Sequence, residues 1–482
     1  MDNRSVINLV TLFLVLFAAG SASATGCFSV IVGKDASANG CVMVGHTEDI
    51  SPAQPIAMVK ISDEIPYVDK IISETLLYPP ASQRKRMATL VSGEEFCDCI
   101  LNDFGVTVAS DQCPSVEDKP ELVNGGIGRG LRHIVTARAV SAREGVHIAG
   151  AVVEKVGYNS NGRTYIICDP DEGWVFCPIG GKHWLAHRVA DDEVAVVANS
   201  FTVREIDLDD TLQFLASEGL IEYAVERGWY DQENDGAFDF SKTFADSAVA
   251  AGSFNVCRQW RGLDLLSTDR IKADWGNLPF SVKPGRKIGV SDITTVLQDH
   301  YENTQLYIVP SDSSSPHTNR FMTICSGISQ MSFVAELRTD RPKDIGFVFW
   351  LCLGQPCTSF YIPFYFGIGE IPEPYLIPAD DSTSNLADRK ESIPSSFGEN
   401  EAFATFSEYC GYVDSNYTTA APQAKRVLET YYDRMLPEKE AVELQATKSY
   451  RSDSLQVNEE LREFTLRQIG LAFDLLHRVM AH

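Results

Sequence analysis

Cys27 stands first among the residues that could do chemistry, because of what precedes it. Arg4 is followed by an apolar run from Val6 to Ala19, then by Gly20-Ser21-Ala22-Ser23-Ala24-Thr25-Gly26. A short charged start, an apolar middle and a small-residue end form the pattern of a secretory signal peptide. The run is shorter than the about 20 residues of a membrane span, and no other apolar run reaches that length. Cleavage is expected after Ala24 or after Gly26, and the second cut makes Cys27 the first residue. A cysteine placed there has three readings: half of a disulfide, a lipid anchor, or the nucleophile of a hydrolase working from its own N-terminus. Position alone favours the disulfide, and Ala24 stands where a leucine-like residue would precede a lipid anchor. In the third reading the thiol attacks an amide carbonyl while its own α-amine takes and returns the proton. An α-amine titrates near pH ~7.7–8 and a free thiol near ~8.5, so both operate close to neutrality.

The remaining composition narrows the class. With 482 residues, 44% of them hydrophobic, the chain can bury a large core. A formal charge of -25 argues against nucleic acid as a partner, because a phosphate backbone demands clustered Lys and Arg. All twelve cysteines lie beyond the signal segment. In an exported protein disulfides are the default for many of them, with Cys97, Cys99 and Cys113 as candidates. Cys97-Asp98-Cys99 could also be read as metal-binding, but one intervening residue fits zinc spacing poorly and no matching second pair follows. No metal or cofactor is therefore expected.

The elements that must position Cys27 begin with it. Phe28, Val30 and Val32 alternate with Ser29, Ile31 and Gly33 as a strand, and Cys41 to Gly45 reads as a second after the Asn39-Gly40 turn. Asp103 to Val108 is a further strand candidate. Leu131, Val135 and Ala139 mark a helix, and Ser141 with Glu144 forms a capping box for another. Strands return at Thr164–Cys168, Trp174–Phe176, Val194–Val197, Ile345–Cys352 and Ser359–Phe366. The polar stretch from Asp380 to Glu401 reads as a surface loop, and beyond it Leu461, Phe464, Leu471 and Leu475 share one helical face. Runs of strands and runs of helices, without strict alternation, predict an α+β protein. The expected organisation is a leader over 1–26 and a domain over 27–482, whose helical extension covers about 402–482.

The mature start, Cys27-Phe-Ser-Val-Ile-Val-Gly33 to Gly40 and on to Gly45-His-Thr-Glu48-Asp49, resembles that of the dipeptidase A family. These are cysteine peptidases of the N-terminal-nucleophile superfamily, related to the secernins and more distantly to bile-salt hydrolases and penicillin V acylases. Further segments follow in the family's order: Leu101 to Val106, Thr136-Ala-Arg138, Ser141-Ala-Arg143-Glu144, Asp169 to Trp174, Gly181-Lys-His183-Trp184, Arg188-Val189, Val194 to Asn199, Arg258 to Leu263 and Pro356 to Pro363. The resemblance implies a four-layer αββα sandwich, with Cys27 at a strand end facing a cleft. It implies a small-peptide substrate, no cofactor, and dipeptide hydrolysis through a thioester acyl-enzyme. It also implies that Asp49 orients the α-amine or binds the positive end of the substrate, that Asn199 donates to the oxyanion, and that Arg258 positions or supplies charge. The chain departs from the family pattern at His46, where many members carry arginine, at Asp111, where asparagine is expected, and at Met331, where a histidine is expected before Ser332. His46 can still hydrogen-bond the nucleophile, and it completes the set Cys27, Asp49, Asn199, His46 and Arg258.

Blander readings stand beside these. On pattern alone Glu48-Asp49 is a solvated turn and Asn199 a strand-end cap. His183 beside Trp184 reads as structural, Gly125 to Gly130 as a lead-in to a helix, and Ser359 to Phe366 as core. Asn416-Tyr417-Thr418 is a glycosylation acceptor pattern. The expected localisation is secreted, extracytoplasmic or vacuolar-lysosomal, with self-association left open. Two rival functions remain: an acylase of a non-peptide amide using Cys27, and a lipid-anchored or secreted binding protein without activity.

Overall fold

The computed structural model describes residues 25–51, 53–61, 84–93, 97–273, 276–311, 314–378 and 396–481. The signal-peptide segment and most of the expected polar loop lie outside these residues. Among the described residues fifteen strands are present: β1 (Thr25–Val32), β2 (Met43–Ile50), β3 (Ile56–Ile61), β4 (Arg86–Val91), β5 (Cys97–Asn102), β6 (Thr107–Gln112), β7 (Arg163–Cys168), β8 (Gly173–Gly180), β9 (His183–Val189), β10 (Val194–Val197), β11 (Phe214–Ala216), β12 (Ser281–Val282), β13 (Ser329–Leu337), β14 (Phe347–Leu353) and β15 (Ile362–Tyr365). They form two antiparallel sheets. One has seven strands in the order β12-β10-β1-β2-β13-β14-β15, and the other has eight in the order β11-β9-β8-β7-β6-β5-β4-β3.

The two sheets stack, with β1 against β6. That is why β1 is buried on both faces, from Phe28 to Val32, including Ser29. Helices α1 (Leu131–Arg138) and α2 (Ala142–Val156) cover the outer face of the eight-stranded sheet. Their apolar faces meet Trp174, Phe176 and Trp184 in a cluster of their own. Helices α3 (Ser253–Leu266) and α4 (Val290–Leu297) cover the seven-stranded sheet. Helix, sheet, sheet, helix gives the expected α+β αββα sandwich. Beyond it α5 (Glu401–Ser415), α6 (Tyr417–Ser449) and α7 (Ser454–Met480) pack on β14 and β15. Among the described residues no helix is long and apolar enough to cross a membrane.

Local chemistry explains several boundaries. Ser141 accepts from the Glu144 backbone N–H, while the Glu144 carboxylate accepts from Val140, so α2 starts where its capping box predicts. The segment Asp103–Val106, expected as strand, is instead a turn. Asn102 Oδ1 accepts from both Phe104 and Val106 N–H, and Gly105 adopts φ 84°. The expected disulfides are also absent among the described residues, where eleven cysteines are buried free thiols. The side chain of Cys97 lies outside the described part.

Candidate active site

Cys27 is the third residue of β1 rather than its end. Thr25 and Gly26 continue the strand and pair with Ile50 and Asp49, placing Cys27 opposite Glu48 and Ser29 opposite His46. Strand alternation sends these four side chains to one face, toward the other sheet, and Phe28, Thr47 and Asp49 to the opposite one. Glu48 and Asp49 therefore belong to β2, and the solvated-turn reading fails: Asp49 is fully buried and the Glu48 side chain is 12% exposed.

On the thiol face, Cys27 Sγ lies 3.5 Å from Glu48 Oε2, which is 3.4 Å from His46 Nε2. His46 Nδ1 meets Ser29 Oγ at 2.8 Å, and Ser29 donates to Asp111 Oδ2 at 2.6 Å. The departures His46 and Asp111 thus join one chain of contacts running from the second sheet to the sulfur. Burial, then Glu48 and Asp111, pushes the Cys27 thiol well up. Burial, then Asp98, pushes Glu48 well up too. Asp111 rises to about 6 by burial, with His46 and Ser29 opposing. Arg129 and Arg163 lie within electrostatic reach of both Cys27 and Glu48.

The backbone of Cys27 is held separately. Its N–H donates to Asn199 Oδ1 at 2.9 Å, and its carbonyl accepts from Arg258 Nη1 at 3.0 Å. Arg258 Nη2 donates to the same Asn199 Oδ1 at 2.8 Å, fixing which way the amide faces, while Asn199 Nδ2 donates to Gln112 O at 3.1 Å. Asn199 follows β10 with φ 55°, a left-handed conformation that asparagine tolerates well. Arg258 and Asn255 sit one helical turn apart on α3, and Asn255 Oδ1 accepts from Arg258 Nη2 at 3.3 Å. The helix comes this close because Gly262 faces Phe28: a Cβ there would lie 2.7 Å from the ring. Asp49 Oδ1 accepts from Ser329 Oγ at 2.5 Å and Oδ2 lies 3.7 Å from Arg258 Nη1. Oδ2 has no hydrogen-bond partner, and burial raises the carboxyl to about 6 even with Arg258 beside it.

The structure thus brings Cys27, His46, Asp49, Asn199 and Arg258 together. It adds Ser29 and Glu48, which stand within the segments of family resemblance two residues from Cys27 and His46, and Ser329, which carried no sequence signal. His183 stands apart, bonded to Ser217 Oγ and stacked on Tyr223. Met331 is fully buried core. Cys27, His46 and Glu48 place three donor atoms within 4.8 Å of one another, as do His46, Asp98 and Cys99. Asp98 is committed to the guanidinium of Arg132, so the second set is not free for a metal.

The chain belongs to peptidase family C69, whose pattern matches residues 26–391, and it is a cysteine-type peptide hydrolase. It is 26% identical over 367 residues to a probable dipeptidase from Latilactobacillus sakei, covering 73% of this chain and 76% of that protein. Dipeptidase A from Lactobacillus helveticus is also 26% identical, over 72% of this chain and 77% of its own length. Among solved structures, a variant of the conjugated bile acid hydrolase from Clostridium perfringens aligns over 78% of this chain and 97% of its own, with 11% identity and a TM-score of 0.33. The helices α5 to α7 follow the matched region.

Proposed function

We propose that this chain is an exported cysteine dipeptidase, in which removal of residues 1–26 frees Cys27 to act as nucleophile with its own α-amine as base. The observation that carries the reading is the network around the Cys27 nitrogen. Asn199 Oδ1 already accepts its one hydrogen, and Asp49 Oδ2, on the residue opposite Gly26, is a buried carboxylate oxygen near Arg258 but without a hydrogen bond. Cutting the Gly26–Cys27 bond turns the amide into an amine with further hydrogens, which Asp49 can accept. A buried acceptor left unmade costs about 1–3 kcal/mol, so the site favours that amine.

The thiol proton passes to the amine, and the sulfur forms a bond to the dipeptide carbonyl carbon. The carbonyl oxygen takes the negative charge, and Asn199 Nδ2 has a second hydrogen to offer it. The C–N bond then breaks as the amine returns its proton to the departing amino group. Water, deprotonated by the same amine, resolves the thioester. Arg258 holds the nucleophile's carbonyl, and His46 supports Glu48 and Ser29 on the thiol face. Arg129 and Arg163 supply positive charge suited to a dipeptide's free carboxylate. Export follows from the charged, apolar and small-residue order of the leader.

The test is the mass and first residue of the purified active protein, together with its turnover of dipeptides. A chain beginning at Cys27 with a free amine and thiol supports the proposal. An active chain that retains Thr25-Gly26, or whose Cys27 amine is acylated, overturns it.

A further inference from the structure

Outside the Cys27 network, four metal-ligating side chains converge from two connections, three from the stretch between α4 and β13 and one from that between β14 and β15. His300 follows α4, His317 lies in the short helical turn Pro316–Thr318, Cys325 precedes β13 and Cys357 follows β14. Their ligand atoms all lie within 4.8 Å of one another, and all four side chains are buried. His317 Nε2 is 3.5 Å from Cys325 Sγ and 3.4 Å from Cys357 Sγ. Zinc bonds of about 2.3 Å to sulfur and about 2.0–2.1 Å to nitrogen, at tetrahedral angles, require an N to S edge of about 3.5 Å. The spacing already matches.

The outer contacts carry the argument further. Each histidine turns its other ring nitrogen to a carboxylate: His300 Nδ1 to Glu302 Oε1 at 2.8 Å, and His317 Nδ1 to Asp414 Oδ1 at 2.6 Å. Metal-bound histidines are held in this way, because the carboxylate fixes the tautomer and leaves Nε2 as a lone-pair donor. His300 Nε2 is buried without a hydrogen bond of good geometry, and it lies against the Cys357 thiol. A Cys325–Cys357 disulfide would leave it an orphan.

We propose that His300, His317, Cys325 and Cys357 bind one structural zinc ion. Two thiolates neutralise the ion's charge, and their protons leave to solvent on binding. Four protein ligands leave no position for water, so the site is a staple rather than a second catalytic centre. What it staples is specific. Asp414 belongs to α5, and Cys325 begins the turn in which Ser326 and Ser329 bond one another, Ser329 in turn holding Asp49. Zinc would tie the C-terminal helices to the segment that braces the candidate active site.

The experiment is elemental analysis of the full chain, purified without a metal-affinity tag or chelator and dialysed against zinc. About one zinc per chain is expected, with cobalt substitution giving thiolate-to-cobalt charge-transfer absorption. Cys357→Ser and His300→Gln should lose the metal, Asp414→Asn should weaken zinc binding about 10–100-fold, and Cys27→Ala should retain it in full. Folded wild-type protein with less than about a tenth of a zinc per chain, or with Cys325 and Cys357 disulfide-linked in a peptide map, overturns the proposal. These wild-type readouts decide even if the ligand variants fail to fold.

Discussion

Glu48 lies directly across the β1–β2 ladder from Cys27, and its Oε2 is 3.5 Å from the thiol sulfur. After burial, this carboxyl is the largest influence opposing the thiolate. Glu48→Gln keeps the shape and removes the charge. Alkylation of mature Cys27 by iodoacetamide at alkaline pH, where Glu48 ionises despite its raised pKa, should then accelerate about tenfold, the equivalent of about one pKa unit. An unchanged rate removes Glu48 from the control of the nucleophile.

Cys27→Ala should abolish dipeptide hydrolysis while leaving the melting temperature within a few degrees of wild type, since a methyl fits where the thiol was. Cys27→Ser should retain trace activity at most. Full turnover by the alanine variant would sink the assignment.

Arg258 grips Cys27 O and Asn199 Oδ1 with two prongs of one planar group. Lysine keeps the charge but not the fork. Arg258→Lys should lower kcat/KM at least about tenfold, with the fold retained by circular dichroism. Asn199→Ala should cost about 10²–10³ in kcat by losing an oxyanion donor. A loss confined to KM in either variant argues for substrate binding only.

Asp111 is a buried carboxyl raised from 3.8 to about 6. A folded-state pKa above the unfolded one means the native protein holds its proton more tightly. That contribution to stability is complete below pH 3.8 and is lost as pH rises through about 6. Asp111→Asn never ionises. Its stability relative to wild type should grow by about 2–3 kcal/mol from pH 4 to pH 7. Urea denaturation at both pH values gives the difference, and a flat one refutes an ionising Asp111.

A side chain on Gly26 would put its Cβ 2.6 Å from Met322 Cε and 3.3 Å from Asp49 Oδ2. Signal-peptide processing also reads small residues before the cut. Gly26→Val should therefore leave unprocessed chain, visible by intact mass, and silence the enzyme without touching Cys27. Normal processing in this variant would show that the cut does not read Gly26.

Much of this was legible in the sequence, and what was missed has physical causes. The alternation from Phe28 to Val32 and the capping box of α2 are local signals, and local signals carried. Strand β2 was expected to stop at Gly45 because Thr47, Glu48 and Asp49 are polar, yet they are buried by pairing between β1 and β13. Polarity there reflects a site, not solvent. Strands β9 and β13 escaped notice for a similar reason, as His183, His187, Ser329 and Ser332 interrupt their apolar pattern. The histidine and cysteine cluster has no finger-like spacing, since its members meet only through tertiary packing. The bridge candidates named from the sequence were Cys97, Cys99 and Cys113, and nothing local tied Cys325 or Cys357 to the two histidines.

Thr25 and Gly26 occupy the first two rungs of the β1 ladder, facing Ile50 and Asp49. The proposed cut after Gly26 would take away the neighbour of the β2 backbone on that side and leave the sheet with a notch beside the sulfur. The notch is as long as the piece that left it, two residues. The leader's last segment is thus a mould of the guest: a short extended peptide can complete the sheet, whereas a longer one must find room past the walls that once enclosed Gly26.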